Sequence, residues 1–259
     1  MGSAGDEYEP IQTGRVVGSG PSRRLYSVPL VVAVTGHRDL VPAEVPAIRE
    51  RVRTFLEDLR SQSPDRDILL MSPLAEGADR LAAEEALALG LPLTVLLPMP
   101  RDQYMEDFAS AESRAHFDSL CAAATDVFEL PLTPGNTIAL IEGQGANRSR
   151  QYAQTGVFLS AHCHILLALW DGNESDSLGG TAQVVRFHQD DVMPGYTTSV
   201  ATSRLALTDD ESDLVYHIVC SRSRPGCEPV AGLRPLECWW YTRDERAPRT
   251  RELPERYRV

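Results

Sequence analysis

Lysine is missing from this sequence of 259 residues, and all 25 basic residues are arginine. A Schiff-base enzyme and a phosphate-binding loop of the Walker type both depend on a lysine, so both classes are excluded. The sequence also contains no Gly-x-Ser-x-Gly elbow, which excludes a serine hydrolase of the α/β type. The chemistry of this protein therefore has to come from arginine, carboxylates, histidine and the backbone.

Paired cysteines and long apolar runs are absent too. The five cysteines form no Cys-x-x-Cys pair, which favours free thiols in a reducing compartment. The segment His162-Cys163-His164 offers two histidines on one face of a strand, too few for a zinc site, so we predict no metal. The longest apolar run, 165–170, is too short to cross a bilayer. We expect a cytoplasmic protein without membrane insertion.

The net charge is −12 and the isoelectric point is near 5.0. Such a surface repels phosphate backbones, and no arginine stripe interleaved with aromatic residues offsets it. On this basis we predict no nucleic acid partner. A small phosphorylated ligand stays compatible with the charge, because backbone N–H groups and one or two arginines can hold it.

From Val28 onward the sequence alternates between short apolar runs and segments with helical spacing. This alternation is typical of βαβ units, and it predicts a Rossmann-like, doubly wound α/β fold with a mostly parallel sheet and helices on both faces. Two further strands near the end indicate a C-terminal β-hairpin extension. The predicted strands span 28–35, 67–71, 93–97, 126–130 and 165–170, and the predicted helices span 42–59, 78–89, 102–124, 148–161 and 181–188, with a loop at 131–147.

The chain divides into three parts by composition. Residues 1–26 are polar and rich in glycine and serine, which predicts a disordered leader. Residues 27–242 are predicted to form a single domain, with the hairpin at about 213–242. The charged segment 243–259 is interpreted as a tail or as a linker to a fused or associated effector or membrane domain.

Ligands of open parallel sheets lie at the carboxyl ends of the strands. Gly36, His37 and Arg38 follow the first predicted strand, Glu76 and Gly77 follow the second, and Asp171 follows the fifth. Gly179, Gly180 and Thr181 then open a helix, whose N-terminus can bind an anion. Each motif also has a plainer interpretation. In this interpretation, residues 36–38 form an ordinary turn, and Asp79 at the start of the second helix only complements the helix dipole. Thr181 then only caps the helix after a flexible loop.

Five segments taken together resemble the SLOG superfamily. They are VTGHRDL, SPLAEGADRLAAEEAL, LPMPRDQY, QYAQTGVFLSAHCHILLALWDG and GGTAQVV. This superfamily joins the DNA-processing protein family, the "lonely guy" phosphoribohydrolases and nucleotide-sensing domains of bacterial conflict systems. The resemblance implies that nucleotide is bound by Gly36, Arg38, Glu76, Gly77, Gly179, Gly180 and Thr181, with His37 and Asp171 as flanking candidates.

One position departs from the hydrolase branch of that superfamily. Val184 stands where the phosphoribohydrolases have a catalytic glutamate, and an apolar side chain cannot transfer a proton. The resemblance therefore favours a nucleotide sensor, with a nucleotide, ADP-ribose or an NAD-like molecule as ligand and a homo-oligomeric assembly. The alternatives are an N-glycosidase that uses Glu76 or Asp171 as its acid, and a purely structural scaffold.

Overall fold

The computed structural model describes residues 28–197, 213–224, 226–242 and 249–254. The predicted leader lies outside these residues. The strands are β1 (Leu30–Gly36), β2 (Ile68–Ser72), β3 (Leu93–Leu97), β4 (Asp126–Glu129), β5 (Ile165–Trp170), β6 (Val215–Val219) and β7 (Cys238–Tyr241). The helices are α1 (Val45–Gln62), α2 (Ala78–Ala88), α3 (Arg101–Met105), α4 (Ala111–Ala123), α5 (Ile138–Ile141), α6 (Ala146–His162) and α7 (Thr181–Asp190).

The strands form one sheet in the order β4-β3-β2-β1-β5-β6-β7. Neighbouring strands are parallel except β6 and β7, which pair antiparallel with Val215 opposite Tyr241. The predicted fold class is therefore confirmed, including the hairpin at one edge of the sheet. The strand order reverses between β1 and β5, which is where open α/β sheets have their ligand crevice.

Both faces of the sheet are covered by helices. Val32 and Val34 of β1 belong to a core cluster that contains the buried residues of α1 and α2. Ala33, between them, belongs to a second cluster with residues of α6 and α7. Because side chains alternate across a strand, a continuous apolar run such as β1 serves both layers.

Three predicted segments differ in detail. The helix expected at 102–124 is interrupted between α3 and α4, because the Ser110 hydroxyl accepts the Ser113 N–H at 3.0 Å and begins a new helix. The loop expected at 131–147 contains the short helix α5. In the C-terminal tail, Thr250 exchanges two backbone hydrogen bonds with Trp240, at 2.7 and 2.8 Å, so this part of the tail is attached to β7.

No helix in the described part of the chain is long and apolar enough to cross a membrane.

Candidate functional site

A cavity of about 800 Å³ lies at the carboxyl ends of β1 and β5, at the point where the strand order reverses. This volume suits a mononucleotide or a somewhat larger ligand. Most of the predicted site residues line it, namely Gly36, His37, Arg38, Asp171, Gly179, Gly180 and Thr181. Glu76 and Gly77 are not part of the lining.

Glu76 and Gly77 are engaged with the protein itself. The Glu76 carboxylate accepts a hydrogen bond from the Ser113 hydroxyl of α4. Gly77 is the N-cap of α2 with a φ of +81°, and a Cβ there would lie 2.5 Å from the His37 carbonyl oxygen. That same oxygen accepts the Ala78 N–H at 3.0 Å. Glu76 and Gly77 therefore support the loop after β1 and the packing of α4, and do not face the cavity.

Gly36 is required by packing between elements. A Cβ at this position would collide with the Ala78 Cβ and would lie 2.7 Å from the Leu169 carbonyl oxygen. The resemblance drawn from the sequence implied that this glycine binds nucleotide. In the structure, the space beside it is filled by α2 and β5, and the close approach is between these two elements and β1.

His37 and Asp171 join the ends of β1 and β5. The Asp171 N–H donates to His37 Nε2 at 3.0 Å, and the Asp171 carboxylate lies 3.2 Å from the same nitrogen. The Asn173 N–H donates to Asp171 Oδ1 at 3.0 Å. Burial of Asp171 raises its pKa, but the contacts with His37 and Asn173 outweigh burial, so the pKa is below its ordinary value. This pair therefore links the end of β1 to the end of β5 at the rim of the cavity.

The N-terminus of α7 opens into the cavity behind a tight glycine turn. Gly179 has a φ of +75°, and a Cβ there would lie 2.6 Å from the Ala153 backbone nitrogen of α6. Gly180 is the N-cap, and its N–H donates to the Ser177 carbonyl at 2.9 Å. Among the described residues, no side chain caps the first turn that Thr181 begins. Free N–H groups and the helix dipole favour an anion here.

Arg38 lines the same cavity as this turn. Its guanidinium carbon is 5.3 Å from the centre of the Tyr152 ring, and one of its nitrogens is 4.0 Å from Asp107 Oδ2. The Arg38 side chain is 42% exposed. Asp107 is held more closely by the buried Arg148, at 3.0 Å. Arg38 therefore keeps donors that a phosphate or carboxylate of a ligand can use.

Asp79 and Tyr104 also line the cavity, are both buried and were not predicted as site residues. We call the part of the cavity beside these two residues its deep end. The Asp79 side chain does more than complement the dipole of α2, because it lines the cavity at 5% exposure. Burial raises the pKa of Asp79 to about 7, although Arg38 and Arg80 oppose this change. Burial likewise raises the pKa of Tyr104. The candidate site therefore contains a buried carboxyl with a raised pKa.

Arg222 and Arg224 were also missed. They line the cavity from the segment after β6, and their Nε atoms lie 3.0 and 2.6 Å from the oxygens of Asp39. Both follow a strand that lies next to β5 in the sheet. The Ser-Arg-Ser-Arg sequence after that strand was a usable signal, since the carboxyl ends of neighbouring parallel strands meet at one edge.

Two residues that the sequence analysis singled out, Val184 and His164, have structural roles. Val184 is 3% exposed, and a Cβ on Gly156 of α6 would lie 2.5 Å from its Cγ2. The position is therefore closely packed between two helices. His164 Nδ1 accepts the Val31 N–H at 3.0 Å, which gives this histidine a structural role. Among the described residues, no group of three potential metal ligands occurs.

No family model matches the sequence, and the search of curated proteins gives no match either. Among solved structures, the chain is similar to the X-ray structure of DNA processing protein A from Streptococcus pneumoniae, with 16% identity and a TM-score of 0.35 over 54% of this chain and 41% of that one. It is also similar to DNA processing protein A from Helicobacter pylori, with 17% identity and a TM-score of 0.38 over 62% of this chain and 61% of that one.

The chain therefore spans less than two thirds of either of these proteins. Both carry the name of the DNA-processing family that the sequence resembles, and membership of the SLOG superfamily stays a prediction from the sequence.

One expectation is corrected by the comparison. The exclusion of nucleic acid as a partner was wrong, because the similar protein from Helicobacter pylori has a single-stranded DNA binding mode. The exclusion rested on a net charge of −12, which sums the whole surface. Binding depends on local charge, and Arg38, Arg222 and Arg224 line one cavity. Net charge alone therefore cannot exclude this class of partner.

Proposed function

We propose that this chain is a nucleotide-binding domain that senses a nucleotide or a nucleotide-derived small molecule in the cavity between β1 and β5. ADP-ribose and NAD-like molecules belong to this ligand class. Within the proposal, the domain is the ligand-sensing part of a bacterial signalling or defence system, acts in the cytoplasm and forms a homo-oligomer. Sedimentation that gives only a monomer at tens of micromolar protein would count against the oligomer.

The observation that supports this proposal most is the uncapped N-terminus of α7 beside Arg38 in one cavity. Backbone N–H groups and a guanidinium are the usual partners of a phosphate. The glycine turn before α7 packs closely on the backbone of α6, and this packing favours an anion site that is formed before a ligand arrives. Rigidity reduces the entropy lost on binding.

The arrangement supports sensing better than N-glycoside hydrolysis. Glu76, one acid considered for hydrolysis, accepts from Ser113 outside the cavity lining. Asp171, the other, is held by His37 and the Asn173 N–H. Val184 occupies the position where the resembling hydrolases have glutamate. A general acid must be within reach of the proton it transfers and free to move it, and neither carboxylate meets both conditions.

The test is a calorimetric titration of the full chain with AMP, NAD and ADP-ribose, followed by chromatography of each mixture. The proposal expects saturable binding and intact ligand after prolonged incubation. Sustained release of base would establish the hydrolase instead, and no binding of any of the three would refute the nucleotide site.

Arg38→Ala tests the site within this experiment. Loss of a charge-assisted hydrogen bond should weaken binding by about 1.5–3 kcal/mol, or roughly one to two orders of magnitude. Arg186→Ala is the matched control, since Arg186 is exposed on α7 and does not line the cavity. If Arg38→Ala and Arg186→Ala bind equally well, Arg38 is only a turn residue.

A further inference from the structure

Three polar atoms at the deep end of the cavity have no partner. Within the described residues, Asp79 Oδ1, Tyr104 Oη and Tyr152 Oη are buried and make no hydrogen bond. All three residues line the cavity. A buried polar group without a hydrogen bond destabilises the folded protein. A cluster of such groups in one cavity wall indicates a place where ligand atoms complete the hydrogen bonding.

The contacts give these residues an order along the cavity. Gly179, beside the N-terminus of α7, packs on Tyr152, because a Cβ on this glycine would lie 2.6 Å from the Tyr152 Cβ. Arg38 stands over the ring of Tyr152 at 5.3 Å. The charge of Arg38 in turn acts on both Asp79 and Tyr104. Arg38 and Tyr152 therefore connect the N-terminus of α7 with Asp79 and Tyr104 within one cavity.

The chemistry of the cluster differs from that of the anion site. Above its pKa of about 7, the Asp79 carboxylate accepts hydrogen bonds only, and a tyrosine hydroxyl can donate and accept. Asp107 adds a further buried acceptor near Arg38, since its Oδ2 also makes no hydrogen bond within the described residues. Arg38 and Arg80 already supply positive charge to Asp79, and the oxygens without a partner are left for donors of a ligand. Uncharged O–H and N–H donors fit this end of the cavity.

We propose that Asp79, together with Tyr104 and Tyr152, forms a subsite that binds the uncharged donors of a nucleotide, either the ribose hydroxyls or the amine of the base, while the phosphate lies at the N-terminus of α7. This inference rests on the proposed function, and it assigns to Asp79 a role in binding. A ligand bound this way spans the cavity from α7, past Arg38, to the start of α2.

The experiment titrates the full chain with AMP, 2′-deoxyAMP and IMP at pH 8 and compares wild type with Asp79→Asn and Tyr104→Phe. Asparagine has the size of aspartate but presents an NH₂ group to a ligand donor, so Asp79→Asn should weaken AMP binding about ten- to a hundredfold. Tyr104→Phe keeps the buried aromatic ring and removes only its hydroxyl, so it should weaken AMP binding less than Asp79→Asn does. Asp102→Asn is the matched control, because Asp102 is exposed on α3.

The two analogues identify the donor. If the ribose hydroxyl is bound, 2′-deoxyAMP binds wild type more weakly than AMP does, and this difference shrinks in Asp79→Asn. If the amine of the base is bound, IMP shows that pattern. Either result supports the subsite.

The subsite is overturned if wild type binds AMP and both Asp79→Asn and Tyr104→Phe bind all three probes as wild type does. In that case the proposed function stands. If wild type binds NAD or ADP-ribose but none of the three probes, the subsite is overturned and the proposed function stands. If it binds none of these five molecules, the proposed nucleotide site fails and the subsite fails with it.

Discussion

Replacing Asp79 by asparagine should make this protein more stable at alkaline pH. The Asp79 carboxyl has an ordinary pKa of 3.8, and burial raises the value in the folded chain to about 7 despite the nearby Arg38 and Arg80. Between these two values the folded chain holds a proton that the unfolded chain has lost. The stability contributed by this group is therefore complete below pH 3.8 and is lost as the pH rises through 7.

The size of the effect follows from the two pKa values. Relative to a pH below 3.8, this difference in pKa lowers the free energy of unfolding by about 2 kcal/mol at pH 5.5 and by about 4 kcal/mol above pH 8. Asparagine does not ionise, so the variant lacks this loss. The stability of Asp79→Asn relative to wild type should therefore increase by about 2 kcal/mol between pH 5.5 and pH 8.

Urea denaturation at several pH values measures this difference directly, because most other titrating groups contribute equally to both proteins. Asp65→Asn is the control. Asp65 is exposed in the turn before β2, and its removal should change stability by an amount that does not grow over this range. A difference between Asp79→Asn and wild type that is constant with pH would refute the reasoning, since it would mean that Asp79 is solvated or paired in the folded chain.

Three further predictions concern other groups. Gly179→Ala should reduce the free energy of unfolding by at least about 2 kcal/mol, because the added Cβ would collide with the backbone of α6. Gly135→Ala is the control: Gly135 has a φ of +86° but nothing within 4 Å, so this change should cost only about 1 kcal/mol. Thermal unfolding measures both. Burial lowers the pKa of His217 to about 4, so the free energy of unfolding of wild type should fall by about 2 kcal/mol from pH 7 to pH 5 through this group. In urea denaturation, His217→Gln should show a smaller fall in the free energy of unfolding over the same range. Thr181→Val should leave AMP affinity within about threefold of wild type if the backbone of α7 holds the phosphate; a loss above tenfold in calorimetry would assign that role to the hydroxyl.

The sequence was sufficient for the fold because the signals of strands and helices are local. The apolar run before Gly36 predicts a strand buried on both faces, and β1 is such a strand. The helical spacing through Val52 and Phe55 predicts the buried face of α1. Parallel strands have their carboxyl ends at one edge, so the residues that follow β1 and β5 could be predicted to meet, and His37 contacts Asp171.

Only the tertiary structure decided which of these residues face the cavity. Glu76 follows β2 as the sequence suggests, but it accepts from Ser113 of α4, and no local pattern connects the two. Asp79 has the position of an ordinary first-turn carboxylate, yet it lines the cavity without a partner for one oxygen. Arg222 reaches the site because β6 lies beside β5. The local pattern determines the direction of a strand and the face of a helix, whereas the partner of a side chain depends on which distant elements the order of the sheet brings beside it.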